Sequence, residues 1–206
     1  MTIFLVGISC VGKTSVGRAL SEMLDIPFAD LDHEVEQHFG TPIERLQQRL
    51  GTMDRFRREA AKVLAMGLNS FEGRTCIIAL PPSGLMTPYW RTVKQHRGVT
   101  VVLEDKPENI INRVTFFDAD SRPIATLITP CTRAMYLREI RKDAQYFGRS
   151  YRKADIYVDV SGCSIKEAAE AVQTELLKSG KLQGTKRTES EQRSPGYVAK
   201  RAAPDS

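Results

Sequence analysis

A three-layer α/β fold, with a five-stranded parallel sheet between helices, is what this 206-residue chain predicts. Three observations carry the expectation. Short apolar strand candidates at 3–6, 27–29, 76–80, 100–103 and 156–160 alternate with longer stretches of helical periodicity, the rhythm of a parallel sheet. The runs Cys76-Ile77-Ile78-Ala79-Leu80 and Val99-Thr100-Val101-Val102-Leu103 are nearly continuous in apolar residues, as strands covered on both faces by right-handed crossovers must be. Helix punctuation is explicit, with capping-box patterns at Thr41-Pro42-Ile43-Glu44 and Ser164-Ile165-Lys166-Glu167.

The first strand leads into Gly7-Ile8-Ser9-Cys10-Val11-Gly12-Lys13-Thr14, followed by Ser15 and the helical pattern from Val16 to Leu24. Strand, G-x-x-x-x-G-K-T loop and helix stand in the order that a phosphate-binding loop requires. The glycines let the backbone curl around phosphate oxygens, and its N–H groups gather at a helix N-terminus. Lys13 neutralises β/γ charge and Thr14 offers a hydroxyl to magnesium. The nucleotide site is therefore read as Gly7, Ile8, Ser9, Cys10, Val11, Gly12, Lys13, Thr14 and Ser15, with ATP and Mg2+ as the expected ligands, and the fold as that of the P-loop nucleotide-binding proteins. A chance motif on a surface turn would not come flanked by this strand and this helix.

After the last capping box, Ile165, Ala168, Ala169, Val172 and Leu176 recur on one helical face, and the helix is expected to end near Gly180. Residues 1–180 then form one domain, and 181–206 are too polar to bury apolar area against their ordering entropy, so they read as a disordered tail. That tail holds six Lys/Arg against three Asp/Glu, or +3 of the chain's +5. The remaining excess suits a polyanionic nucleotide better than nucleic acid, since no basic patch interleaved with aromatics is visible. No apolar run approaches the roughly 20 residues of a membrane span, the first residues lack a basic n-region, and the cysteines at 10, 76, 131 and 163 lack metal-site or disulfide-scaffold spacing. The expectation is a soluble, cytoplasmic monomer with reduced thiols.

At the end of the second strand stand Asp30 and Asp32, on one side of extended chain and near the expected phosphates. One carboxylate could serve magnesium and the other a substrate hydroxyl, although a helix N-cap with a solvated neighbour would use the same residues. The run Asp30-Leu31-Asp32-His33-Glu34-Val35-Glu36-Gln37-His38-Phe39-Gly40-Thr41-Pro42-Ile43, at this distance from the loop, resembles the shikimate kinases, and the resemblance extends over about residues 1–178. It implies a small-molecule kinase that transfers the γ-phosphoryl group of ATP to shikimate. Asp30 would then serve magnesium, and Asp32 would accept the proton of the attacking hydroxyl. Gly51 and Phe56-Arg57 match the family's glycine and Phe-Arg, which makes Arg57 the arginine for the acceptor carboxylate. An ungapped pairing keeps Glu59 instead, and Arg55, Arg57 and Arg58 could equally be a solvated helix face.

The same resemblance reads Asp120-Ser121-Arg122-Pro123-Ile124 as the family's mobile lid, at about 115–132, with Arg122 closing over the phosphates. A second substrate arginine has two candidates, Arg149 and Arg141, with Arg149 nearer to Tyr151. The largest departure is the family's Gly-Gly-Gly after the third strand, which here is Pro81-Pro82-Ser83. Proline offers no N–H and no positive φ, so the acceptor wall containing Pro82 and Ser83 must differ. The alternatives to a shikimate kinase are a related kinase for another hydroxylated acid, sugar acid or nucleoside, and a non-catalytic nucleotide-binding homologue.

Overall fold

The computed structural model of the chain describes residues 1–96, 98–124, 126 and 128–182. In chain order its strands are β1 (Thr2–Val6), β2 (Phe28–Asp30), β3 (Cys76–Ala79), β4 (Gly98–Glu104), the paired β5 (Phe116–Phe117) and β6 (Pro123–Ile124), and β7 (Ile156–Asp159). The main sheet runs β2-β3-β1-β4-β7 and is parallel throughout. Central β1 aligns Thr2 with Cys76 on one side and with Gly98 on the other. All five predicted strands are present, but the second ends at Asp30, which places that carboxylate on the sheet's C-terminal edge.

The helices are α1 (Lys13–Leu24), α2 (Leu31–Phe39), α3 (Ile43–Leu50), α4 (Met53–Ser70), α5 (Tyr89–Gln95), α6 (Pro107–Ile110), α7 (Pro130–Tyr151) and α8 (Ile165–Lys178). Helix α1 packs on α8, and α4 packs on α2, α3 and α5. Ile3, Phe4, Leu5, Val101, Val102 and Leu20 are fully buried between these layers. Burying each such side chain contributes about 1.5–3 kcal/mol, which is why the apolar runs occupy the middle of the sheet.

Two expectations about helix ends are corrected. Thr41 does not cap α3: the helix starts at Ile43, its N-cap is Pro42, and the Ile43 N–H donates to Glu36 Oε1 at 3.0 Å. A carboxylate from the preceding helix has taken the orphan donor, and Glu44 is drawn elsewhere. The Ser164–Glu167 box does form, with Ala168, Ala169, Val172 and Leu176 buried, but Ile165 is 55% exposed, in a first turn of α8 that faces solvent at every residue from 164 to 167. At the other end of α8 the amides of Lys181 and Leu182 both donate to the Leu176 carbonyl, and Leu182 packs on the core. The described structure runs to Leu182, two residues past the expected boundary at 180; the rest of the expected tail, 183–206, lies outside the described residues. Among the described residues no helix is long and apolar enough to cross a membrane.

One polar clamp joins β4 to the entry of β7. Asp155 Oδ2 accepts from the Thr100 amide at 2.8 Å and from Thr100 Oγ1 at 2.7 Å, and the Asp155 amide donates back to Thr100 Oγ1 at 3.0 Å. Thr100 is buried while Asp155 is exposed, so the near-isosteric Thr100→Val would remove the hydroxyl from the clamp but leave the carboxylate open to water. Urea unfolding should show a loss of about 0.5–1.5 kcal/mol for Thr100→Val.

Candidate active site

The loop between β1 and α1 is shaped by its two glycines. Gly7 has φ 146°, and a β-carbon there would lie 2.6 Å from the Leu103 carbonyl oxygen; Gly12 has φ 107° and caps α1. Helix α1 therefore opens at Lys13-Thr14-Ser15 with free amides and no acidic residue in its first turn, an arrangement suited to an anion. Ile8 and Val11 anchor the loop in the core, while Ser9 and Ser15 face solvent. Lys13 Nζ donates to the carbonyls of Gly7 at 2.9 Å and Ile8 at 3.0 Å, which holds the ammonium inside the loop's curl. Burial lowers its pKa, and the charges of Asp32 and Asp30 pull it back. Arg113, which the sequence did not single out, braces the loop by donating from Nε to the Cys10 carbonyl at 3.2 Å while pairing with Asp105.

The acidic pair meets the loop. Thr14 Oγ1 donates to Asp30 Oδ2 at 2.5 Å, and Asp30 Oδ1 accepts the Asp32 amide at 3.1 Å. Asp30 is thus both an N-cap of α2 and a partner of the loop hydroxyl, one oxygen for each role. Asp32 is exposed through the cleft, with Asp30, Lys13, Glu36 and Glu44 crowded around its carboxylate. Its pKa is pushed from 3.8 up to about 6, first by desolvation and next by the Asp30 charge, with Lys13 opposing.

These residues line a cleft of about 470 Å³. Ser9, Cys10, Lys13, Thr14, Asp30 and Asp32 form one side; Leu80 and Pro82 come from the loop after β3, and Phe117 and Ser121 from the β5–β6 hairpin. The hairpin tip rests on the helices carrying the acidic residues. Ser121 Oγ lies 2.8 Å from Glu36 Oε1 and 2.7 Å from Glu44 Oε2, and its single proton can serve one carboxylate at a time. Arg45 and Asp120 add an ion pair at 2.6 Å. Within the hairpin, Asp118 Oδ1 accepts the amides of Asp120 and Arg122, which fixes the tight turn. Arg122 itself is exposed and does not line the cleft; its neighbour Ser121 does, with Phe117. Glu36 was legible in principle, since it follows Asp32 by one helical turn on the same face. The pairing of Ser121 with Glu44 joins segments 77 residues apart, and no local signal marks it.

The structure also sorts the arginines. Arg55 is exposed and Arg58 pairs with Asp54 at 2.7 Å, whereas Arg57 turns inward beside buried Phe56, with its Nε buried. Glu59 is engaged with Lys62 on the surface. Arg141 is not brought to the cleft: it pairs with Glu108 at 2.7 Å and lines a separate surface pocket with Arg138 and Lys142. Arg149 is exposed near the end of α7 and does not line the cleft either. In the loop after β3, Ser83 is buried and the Pro82 carbonyl accepts from Tyr151 Oη at 3.0 Å.

Loop, hydroxyl–carboxylate pair and sheet order together define the class, a P-loop phosphotransferase acting on hydroxyl groups. Within it, the family model described as shikimate kinase matches residues 9–178, and the chain belongs to the shikimate kinase family. It is 31% identical over 175 residues to the shikimate kinase of Caulobacter vibrioides, covering 85% of this chain and 82% of that one. The crystal structure of shikimate kinase from Aquifex aeolicus matches with a TM-score of 0.67 at 28% identity, over 87% of this chain and 98% of the other. Shikimate kinase from Acinetobacter baumannii in complex with shikimate matches at 0.67 and 26%, over 88% and 95% of the two chains.

The raised pKa of Asp32 has a measurable sign. Its folded value lies above the ordinary 3.8, so between about pH 4 and 6 the folded state binds more protons than the unfolded one, and stability falls as pH rises through that window. In EDTA, Asp32→Asn should raise Tm at pH 8, with the gain vanishing by about pH 4.

Proposed function

We propose that this chain transfers the γ-phosphoryl group of ATP to a hydroxyl of shikimate, giving ADP and 3-phosphoshikimate, as a cytoplasmic enzyme of aromatic amino acid biosynthesis. The observation that carries the reading is the 2.5 Å bond from Thr14 to Asp30, which brings the phosphate loop and the acidic pair into one cleft with Asp32 beside them. Thr14 Oγ1 and Asp30 Oδ2 are two hard oxygens at one point, a donor set that fits Mg2+, which prefers a hydroxyl or carboxylate together with phosphate oxygens and water. When bound, the ion would neutralise charge on the phosphates. Lys13, already inside the loop, would hold phosphate oxygens with the α1 amides. Asp32 would take the proton of the attacking hydroxyl, and its upward shift to about 6 brings it toward the pH at which a base works. Arg57 would hold the acceptor carboxylate in a planar fork. Arg122 reaches the phosphates in this reading only by a movement of the hairpin, and Arg149 is the remaining candidate for a second acceptor arginine.

Release of ADP measured across shikimate, quinate, gluconate and nucleosides tests the assignment, with shikimate expected to be turned over. Lys13→Ala should lower turnover by roughly 10²- to 10³-fold or more with Tm little changed, because its bonds inside the loop serve the ligand site rather than the core. Full turnover by the folded variant would refute the kinase reading.

A second reading, an acceptor other than shikimate, is favoured by Pro81-Pro82-Ser83. Replacing these residues with Gly-Gly-Gly should raise kcat/KM for shikimate by roughly 10- to 100-fold if restored amides reach the acceptor. If the loop is instead shaped for another acid, the triple variant should lose activity on that acid and gain little on shikimate. An unchanged kcat/KM on every acceptor would remove this loop from the substrate wall.

A further inference from the structure

Two buried donors have no protein hydrogen-bond partner among the described residues: Arg57 Nε and the Tyr89 hydroxyl. They belong together in space. Tyr89 opens α5, α5 packs against the helix that carries Arg57, and the phenol lies within electrostatic reach of both Arg57 and Asp32. Its side chain is fully buried. Burial first, and the Asp32 charge second, push its pKa up against the pull of Arg57, so the hydroxyl keeps its proton and is a donor. The contrast with the neighbouring arginines shows selection of one residue, since Arg58 is paired with Asp54 and Arg55 faces water.

Buried donors are rarely left without an acceptor, and two in the same region suit an anion with more than one oxygen. Asp32 does not supply it, because neither donor is within hydrogen-bonding distance of that carboxylate. The loop that leads into Tyr89 cannot supply acceptor contacts in the usual way either. Pro81 and Pro82 have no N–H, and their carbonyls are already held by the Gly84 amide at 2.7 Å and the Tyr151 hydroxyl at 3.0 Å.

We propose that Tyr89 is an acceptor-recognition residue, its hydroxyl donating to the same acceptor carboxylate that Arg57 holds and replacing anchoring that the proline loop cannot give from its backbone. The assignment rests on the proposed function, which makes the acceptor a carboxylic acid. It also explains the two orphan donors as a paired seat that a planar carboxylate completes, with one oxygen toward the guanidinium and one toward the phenol.

The test uses the full chain, Tyr89→Phe, and the acceptors shikimate and shikimate methyl ester. The variant removes only the oxygen. With no protein partner to lose, its Tm without ligand should equal or exceed that of the parent. Its KM for shikimate should rise by roughly 10- to 100-fold, with kcat and the KM for ATP within about twofold. The parent's preference for the acid over the ester should narrow by a similar factor, a change that a packing role would not produce. If the parent turns over shikimate and the variant keeps both KM and the acid preference, the hydroxyl is idle or held by water; the assignment is then overturned while the proposed function stands. A fall in Tm with equal losses toward acid, ester and ATP would also overturn it, by showing a structural role. A parent that leaves shikimate unphosphorylated would refute the proposed function and this assignment with it.

Discussion

The site depends on one short bond between distant parts of the chain, from the Thr14 hydroxyl to the Asp30 carboxylate. Thr14 stands on the first turn of the helix after β1, and Asp30 closes β2, the edge strand separated from β1 by β3. The bond is possible because every strand of the sheet runs the same way, so all the strand ends open on one edge. It places a carboxylate against a cluster of backbone amides at a helix N-terminus, where negative charge is favoured. The second carboxylate, Asp32, then feels the first, and its proton affinity rises. Lys13 is held between the loop carbonyls and these two charges, and its burial is tolerated because they are near.

Across the cleft, the walls are made of side chains more than of backbone. The β5–β6 hairpin contributes Phe117 and Ser121, and its tip is held against α2 and α3 by Ser121, Glu36 and Glu44 and by the Arg45–Asp120 pair. The surface ion pair is worth little by itself, since both partners reach water. The serine bridge matters more for position, because a hydroxyl shared between two carboxylates fixes where the hairpin turn can sit. The Pro81-Pro82-Ser83 loop has turned its carbonyls inward to Gly84, Tyr151 and Met86, which leaves this wall few free polar backbone groups.

The sequence by itself determined the local elements. Apolar runs that must be covered on both faces marked the five strands, and a glycine-bounded loop ending in Lys13-Thr14 could serve little else once it stood between a strand and a helix. The Ser164–Glu167 capping box formed as written because both partners lie in one turn. The tertiary structure decided whatever depended on partners far apart in the chain. It placed Arg57 inward and Arg141 on a different face, gave the Ile43 amide to Glu36 in place of Thr41, and aimed Ser121 into the cleft with Arg122 outside it. It also brought Tyr89 within electrostatic reach of Arg57, where nothing in the run Thr87-Pro88-Tyr89-Trp90 signals a buried hydroxyl without a partner among the described residues. The physical reason is the same throughout: secondary structure follows from neighbours within a few residues, whereas burial and hydrogen-bond partnership are settled by which surfaces the completed sheet presses together.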